Sequence, residues 1–463
     1  MLKTFPNKKL IISLLILAFL ATTGAKCGGL PAGAIKEGKP DPITLNYWKV
    51  FDEKSNFSDL IAQYTKANPH VTINYKTFTA VEYETELLNA LAEDRGPDIF
   101  SIQTTWMKKY APKIEPLPDK ITTYSTFESG SIQKVIYTKA NIKNTLTLRN
   151  INELYPAVVS DNQVISGKIY GLPLSLDTLA LFYNRDLLNN AGITTPPTNW
   201  NEFNAQVNRL TKKDAAGNIT QAGAALGTAF NVSRATDILS LLMMQSGAQM
   251  ADATGNAVFN RNPSGSNLTG LASGTALNFY NSFASPSNEN YTWDDDMTNS
   301  RQAFMEGRVA FYLGYAYDIP FIKTQAPKLN FDIAPIPQLN QPPINFANYW
   351  AETVSKKSKH INEDWDFVMF ISANADNNKS YVTKAQKPVA LRSLIDWQKQ
   401  QKDAGLLVPF IDQILTAKSW YKGKDETAVE NILKTLINNN LLGLDKTEKL
   451  ISNAVTQING TLQ

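Results

Sequence analysis

Between residues 43 and 102 the chain alternates between strand-like and helix-like spacing, and this restricts the fold more than any other feature. Residues 43–51 (ITLNYWKVF) are rich in β-branched and aromatic side chains and predict a strand. Phe57, Leu60, Ile61 and Tyr64 share one helical face, with Asn56 or Ser58 as cap, and Asn68-Pro69 ends that helix. Residues 71–78 (VTINYKTF) alternate as a second strand. Leu87, Leu88 and Leu91 mark a helix over 80–94, which Arg95-Gly96-Pro97 terminates before a third strand, DIFSI, at 98–102. Strands separated by helices predict a parallel sheet covered by helices. Ligands of such sheets sit beyond the carboxyl ends of the strands, here 48–53, 77–80 and 103–106.

The 463 residues are enough for two or three domains with sizeable cores. A single cysteine, Cys27, excludes an intramolecular disulfide and a multi-cysteine zinc site. Two histidines, His70 and His360, leave little for imidazole catalysis. Lys3, Lys8 and Lys9 precede the eleven-residue apolar run LIISLLILAFL, which has signal-peptide length and is short for a membrane span. Small residues lead to Cys27, where a bacterial lipoprotein signal places its lipidated residue, although Gly24 and Lys26 depart from the usual lipobox. This predicts a signal over 1–26, a lipid anchor on Cys27 and a flexible tether over 27–40. The chain would then be extracytoplasmic, anchored to the cell membrane or secreted. Without the four lysines of the signal, 41 of the 45 basic residues remain against 42 acidic ones, which gives no electrostatic footprint for nucleic acid.

Catalytic and cofactor motifs are missing. There is no HExxH, GxSxG or GxGxxG sequence. GAIKEGKP (33–40) is one residue short of a P-loop, and Pro40 stands where that loop needs Ser or Thr. Asp294-Asp295-Asp296 lacks the spaced ligands of an EF-hand. No cofactor and no metal are expected, and no enzymatic activity.

Farther along, YGLPLSLDTLALFYNRDLLNNAG (170–192), followed by PPTNWNEF, strongly resembles the signature of extracellular solute-binding proteins of family 1, the sugar and oligosaccharide receptors of ABC importers. GPDIF (96–100), AFMEGRVAFYLGYAYDI (303–319), FDIAPIPQ (331–338) and SKKSKHINEDWDFVMFIS (355–372) continue the resemblance in family order. It implies an α/β, two-lobed type II periplasmic-binding fold. Each lobe is a mixed, mostly parallel sheet flanked by helices, and the chain crosses three times, near 176–177, 308 and 347–350. The lobes would be 41–176 plus 308–346, and 177–307 plus 347–463. A monomer is implied, with a carbohydrate ligand and permease subunits as partners.

A neutral sugar presents C–H faces and hydroxyls, so its site needs flat aromatic rings and planar polar side chains. Candidates at the implied cleft are Trp48, Asp177, Tyr315, Tyr317, Asp318, Trp350, Glu352, Arg392, Trp420 and Tyr421. Packing is the alternative for each ring, and for Trp106 it is the favoured one. An acidic cleft would favour a polyamine and a basic one a phosphorylated solute. The mixed set Asp177, Glu352 and Arg392 favours neither. A peptide receptor of the same fold, a secreted glycoside hydrolase and an adhesive lipoprotein are the other readings.

Overall fold

In the computed structural model, which describes residues 33–339 and 341–462, the alternation becomes a sheet. Ile43–Val50, Val71–Phe78 and Ile99–Gln103 are strands, separated by helices Ser58–Ala67 and Ala80–Ala92. They pair in parallel with 43–50 in the middle. The sheet continues antiparallel through Trp350–Val354 and then Leu172–Pro173. Strand alternation sends Leu45 and Tyr47 into one core with Phe57, Trp365 and Phe367. Val50, Phe78, Phe100 and Ile102 form a second core with Tyr83 and Leu87 of helix 80–92.

The second five-stranded sheet has the order Lys212–Lys213, Ile219–Ala224, Val309–Gly314, Ala180–Asn184, Phe331–Ala334. Only 219–224 and 309–314 pair in parallel. Around it lies one large core, built with helices Trp200–Leu210, Ala235–Gln245, Ala272–Ser282 and Glu426–Leu441. Asn199 caps the first of these by accepting the Glu202 N–H.

Sheet membership corrects the expected lobe limits. The run VAFYLG at 309–314 is buried at every position, so it needs a sheet interior, and it finds one between 219–224 and 180–184. It therefore belongs with the second sheet and not with the first lobe. Conversely, Trp350–Val354 completes the first sheet, and the helices Ile361–Ser372 and Ala375–Ala385 pack into that sheet's core. No crossing occurs at Arg308. Gly307, in a left-handed conformation, turns the chain, and the Arg308 N–H returns to Ala303 O.

The three crossings are instead gathered in one small sheet. Asp177–Thr178 pairs antiparallel with Asn345–Asn348, which pairs parallel with Ala417–Lys418. The last crossing was not foreseen. It follows a stretch of short helices whose Leu394 and Ile414 sit in the first core, and it leads to Glu426–Leu441 and Thr447–Gly460 in the second.

A separate three-stranded sheet is formed by Ile35–Glu37, Val135–Asn144 and Lys120–Ser129. Ile35 faces Lys139, and Phe127 stacks on Tyr137 at 5.7 Å. The expected tether over 27–40 is thus a paired strand at 35–37, with the Gly33 and Gly38 N–H groups bonded to Ala140 O and Ile136 O. The signal segment and Cys27 lie outside the described residues.

Candidate ligand-binding cleft

The first wall of the site begins where strand 43–50 stops. Phe51 takes φ 68°, uncommon for a bulky residue, and its ring is 57 % exposed. The next residue, Asp52, fixes this turn: its carboxylate accepts from Tyr381 Oη (2.9 Å) and Lys387 Nζ (2.6 Å), and its carbonyl accepts from Tyr75 and Thr77. The Phe51 ring meets Trp350 edge-on at 5.9 Å. Trp350 also contacts Trp106 at 5.2 Å and Tyr83 at 5.8 Å, and Trp106 stacks on Tyr110. Trp350 lies opposite Gln103 in the sheet, and Gln103 Nε2 donates to Asn348 Oδ1 at 3.0 Å. A wall of rings is thereby joined to planar amides.

The second wall comes from the other core. Tyr317, 49 % exposed, stacks on the buried Tyr315 at 5.4 Å and 21°. Tyr315 Oη donates to Asp237 Oδ2 at 2.7 Å. Arg234 forks onto Asp237 at 2.8 and 2.9 Å and pairs with Glu430 at 2.9 Å. Asp177, on the first crossing strand and opposite Asn348, accepts the N–H groups of Ala316 (3.1 Å) and Thr178 (2.9 Å). Burial pushes its carboxyl up to about 7, against the lowering effect of those bonds.

The walls touch at the mouth of helix 426–441. Trp106 Nε1 donates to Glu426 Oε2 at 2.8 Å, joining the first lobe to the start of helix 426–441. Burial raises Glu426 to about 7 as well. Around this contact is a cavity lined by Thr104, Arg234, Asp237, Asn348, Trp420 and Glu426, among others. Its volume is about 40 Å³. A water needs roughly 10–15 Å³ of such space, so the cavity admits a few waters and no sugar ring. A solute can enter only if the walls separate.

Of the sequence candidates, Asp177, Tyr315, Tyr317, Trp350, Trp420 and Tyr421 fall at or beside this cleft. Tyr315 is wholly buried and supports Tyr317, while Trp420 donates to Ser240 Oγ and presents the cavity wall with Tyr421. Four candidates are corrected. Trp48 lies on the helix-covered face, 4.7 Å from Phe78, with Lys76 over its ring. Asp318 starts a helix with its carboxylate held by Arg301 and Tyr312, both at 2.9 Å. Glu352 is fully buried and accepts from Lys49, Tyr47 (2.8 Å) and Ser101 (2.6 Å). Arg392 is exposed, and its Nε donates to Tyr155 O at 2.6 Å beyond the end of helix Leu148–Leu154. Trp106 packs as expected, against the first-lobe core and stacked on Tyr110, and its indole N–H also joins the walls. Sequence reasoning missed Phe51, Arg234, Asp237, Asn348 and Glu426. Strand-end position was the available signal for Phe51. The others are brought in by non-local packing.

Two α/β lobes, crossings gathered into a hinge-like sheet, and an aromatic and polar cleft define a type II solute-binding protein. The family model for bacterial extracellular solute-binding proteins matches residues 49–378, and the chain belongs to that family. It is similar to the maltodextrin-binding protein MdxE of Bacillus subtilis, 25% identical over 254 residues, which are 52% of this chain and 56% of the relative. A putative binding protein of Brucella abortus is 26% identical over 216 residues, 45% of this chain and 47% of the relative. The chain thus spans about half the length of these relatives. Among solved structures, the sugar-binding protein MalE of Xanthomonas citri superposes with a TM-score of 0.69 at 18% identity, covering 91% of this chain and 97% of the other. The substrate-binding protein Lmo0181 of Listeria monocytogenes, solved with cycloalternan, gives 0.67 at 17% identity, covering 91% and 99%.

Proposed function

We propose that this protein captures a sugar or oligosaccharide outside the cytoplasmic membrane and delivers it to the permease of an ABC importer. One observation carries this reading: rings on opposing walls, the exposed Phe51 against the half-buried Trp350 and the exposed Tyr317 on the buried Tyr315, are held by different sheets whose covalent links, among the described residues, are gathered in one small sheet. A solute touching both walls favours the closed form by its differential affinity, and closing also alters the outer surface offered to a permease. The solute is released unchanged, because the site binds and performs no chemistry. The names of the relatives, a maltodextrin-binding and a galactooligosaccharide-binding protein, agree with this ligand class. The protein acts as a monomer, held at the membrane by a lipid on Cys27 after removal of residues 1–26.

Calorimetric titration with mono- and oligosaccharides tests the reading, with the sugars recovered afterwards. Binding with intact recovery supports it. New reducing ends would make the protein a glycoside hydrolase, and no binding of any saccharide would reject it.

A further inference from the structure

The three-stranded sheet turns one face to solvent. Thr138 and Ala140 of strand 135–144 are buried, so the side chains that alternate with them, Tyr137, Lys139 and Asn141, lie on the other face. The register sets Ile35 opposite Lys139 on that face, and Phe127 joins it by stacking on Tyr137. Ile35 and Phe127 are both exposed. At the end of the sheet the turn from 120–129 to 135–144, with Gly130 in a left-handed conformation, carries Ile132 fully into solvent. Apolar side chains held out in this way mark a contact surface.

Positive charge is concentrated in the same place. Residues 33–41 and 120–144, which form this sheet and its turns, hold six lysines and three acidic residues, a net charge of +3. The rest of the chain from Cys27 onward has 35 basic residues against 39 acidic ones, a net charge of −4. Lys139 shares the face with both rings, and Lys134 in the turn has an exposed pairing with Glu128 at 3.2 Å, which contributes little in water. Strand 35–37 begins eight residues after Cys27, a reach of at most about 30 Å for a fully extended chain.

We propose that this face is a membrane-contact surface, whose lysines meet anionic lipid headgroups while Ile132, Ile35 and the Phe127–Tyr137 pair enter the interfacial layer. The proposal deepens the lipid-anchor reading and rests on it: a lipid on Cys27 brings the sheet within reach of the bilayer, and the sheet then adds a second hold. Aromatic rings with aliphatic neighbours suit the headgroup boundary. Each lysine close to an anionic surface adds about fivefold in affinity.

The test is co-sedimentation of residues 27–463 carrying Cys27→Ser, which can take no lipid, with phosphatidylglycerol and with phosphatidylcholine vesicles. Binding to phosphatidylglycerol should be at least about tenfold tighter and should weaken in high salt. Lys134→Gln with Lys139→Gln should lower it about tenfold, and Ile132→Ser should lower it as well. The control pair Lys356→Gln with Lys402→Gln, exposed lysines outside this sheet, should leave it unchanged. Equal binding to both vesicles, no binding to either, or the same loss in the control pair overturns the proposal. A doubled mass in light scattering that Ile132→Ser abolishes would give the face to a second copy and also overturn it. Mass spectrometry of the chain extracted from cells reads the anchor separately: an unmodified Cys27 rejects the lipid-anchor reading, while a lipidated chain whose sheet binds no vesicle rejects the contact surface alone.

Discussion

Glu426 of the second lobe accepts the indole N–H of Trp106 of the first at 2.8 Å, and this contact closes the cleft around its cavity. Trp106→Phe keeps a ring against Trp350 and Tyr110 but removes the donor. A partly buried hydrogen bond to a charged group contributes about 1.5–3 kcal/mol. Urea unfolding should report a loss within that range, and Trp106→Ala a larger one.

Trp350 touches Phe51, Tyr83 and Trp106 and forms the centre of the first wall. Trp350→Ala removes the platform itself. Saccharide affinity should fall at least tenfold, about 1.4 kcal/mol, in calorimetric titration. Unchanged affinity would place the site elsewhere.

Glu352 serves the fold and not the ligand. It and Lys49 are buried together under Tyr47 and Ser101. Glu352→Ala leaves Lys49 without its main partner and should cost about 3–5 kcal/mol of stability. Replacing both by apolar residues of similar volume should recover much of that loss in thermal unfolding, which a ligand-contact role would not predict.

Arg392→Ala should leave saccharide affinity unchanged and lower stability by about 1 kcal/mol, the value of a single hydrogen bond to a carbonyl. Paired calorimetry and denaturation separate the two effects.

The pH response has two parts of opposite sign. Asp177 and Glu426 are raised by burial to about 7, so the folded chain binds more protons than the unfolded one between the ordinary carboxylate range, near 4, and about 7. Their contribution is therefore lost as pH rises through that window. Asp52 behaves in the opposite sense: burial would raise it, but Lys387 and Lys49 outweigh burial and hold it low. Its stabilisation is present above the ordinary carboxylate value and lost as pH falls below it. Thermal melts across pH 4–7 should flatten in Asp177→Asn with Glu426→Gln, and acid unfolding should begin at higher pH in Asp52→Asn.

The first sheet was legible because its pattern is local. The expected strand 71–78 has the observed limits, and helix 80–94 ends two residues early, at Ala92. The turns at Asp214 and Asp252 also follow from nearby residues, each aspartate accepting the N–H groups two and four positions on. Family resemblance supplied the two-lobed fold and the neighbourhoods of Tyr317 and Trp350. It did not supply the path between lobes, because a buried run such as 309–314 fits the interior of either sheet and only its partners decide. The site was half legible for the same reason. Trp48 and Phe51 stand three residues apart at one strand end, and a left-handed turn, invisible in composition, decides that Phe51 is the exposed one. Arg234 and Glu426 are nearly 200 residues apart, and Glu352 reads as a polar strand residue until Lys49 is found beneath it.

Small-angle X-ray scattering of the protein, with and without a saturating oligosaccharide already shown to bind by calorimetry, tests the grip of two hinged walls most directly. The radius of gyration should decrease on saturation, because the unliganded chain must open to admit a solute that the closed cavity cannot hold. A bound saccharide with superimposable scattering curves would contradict the account.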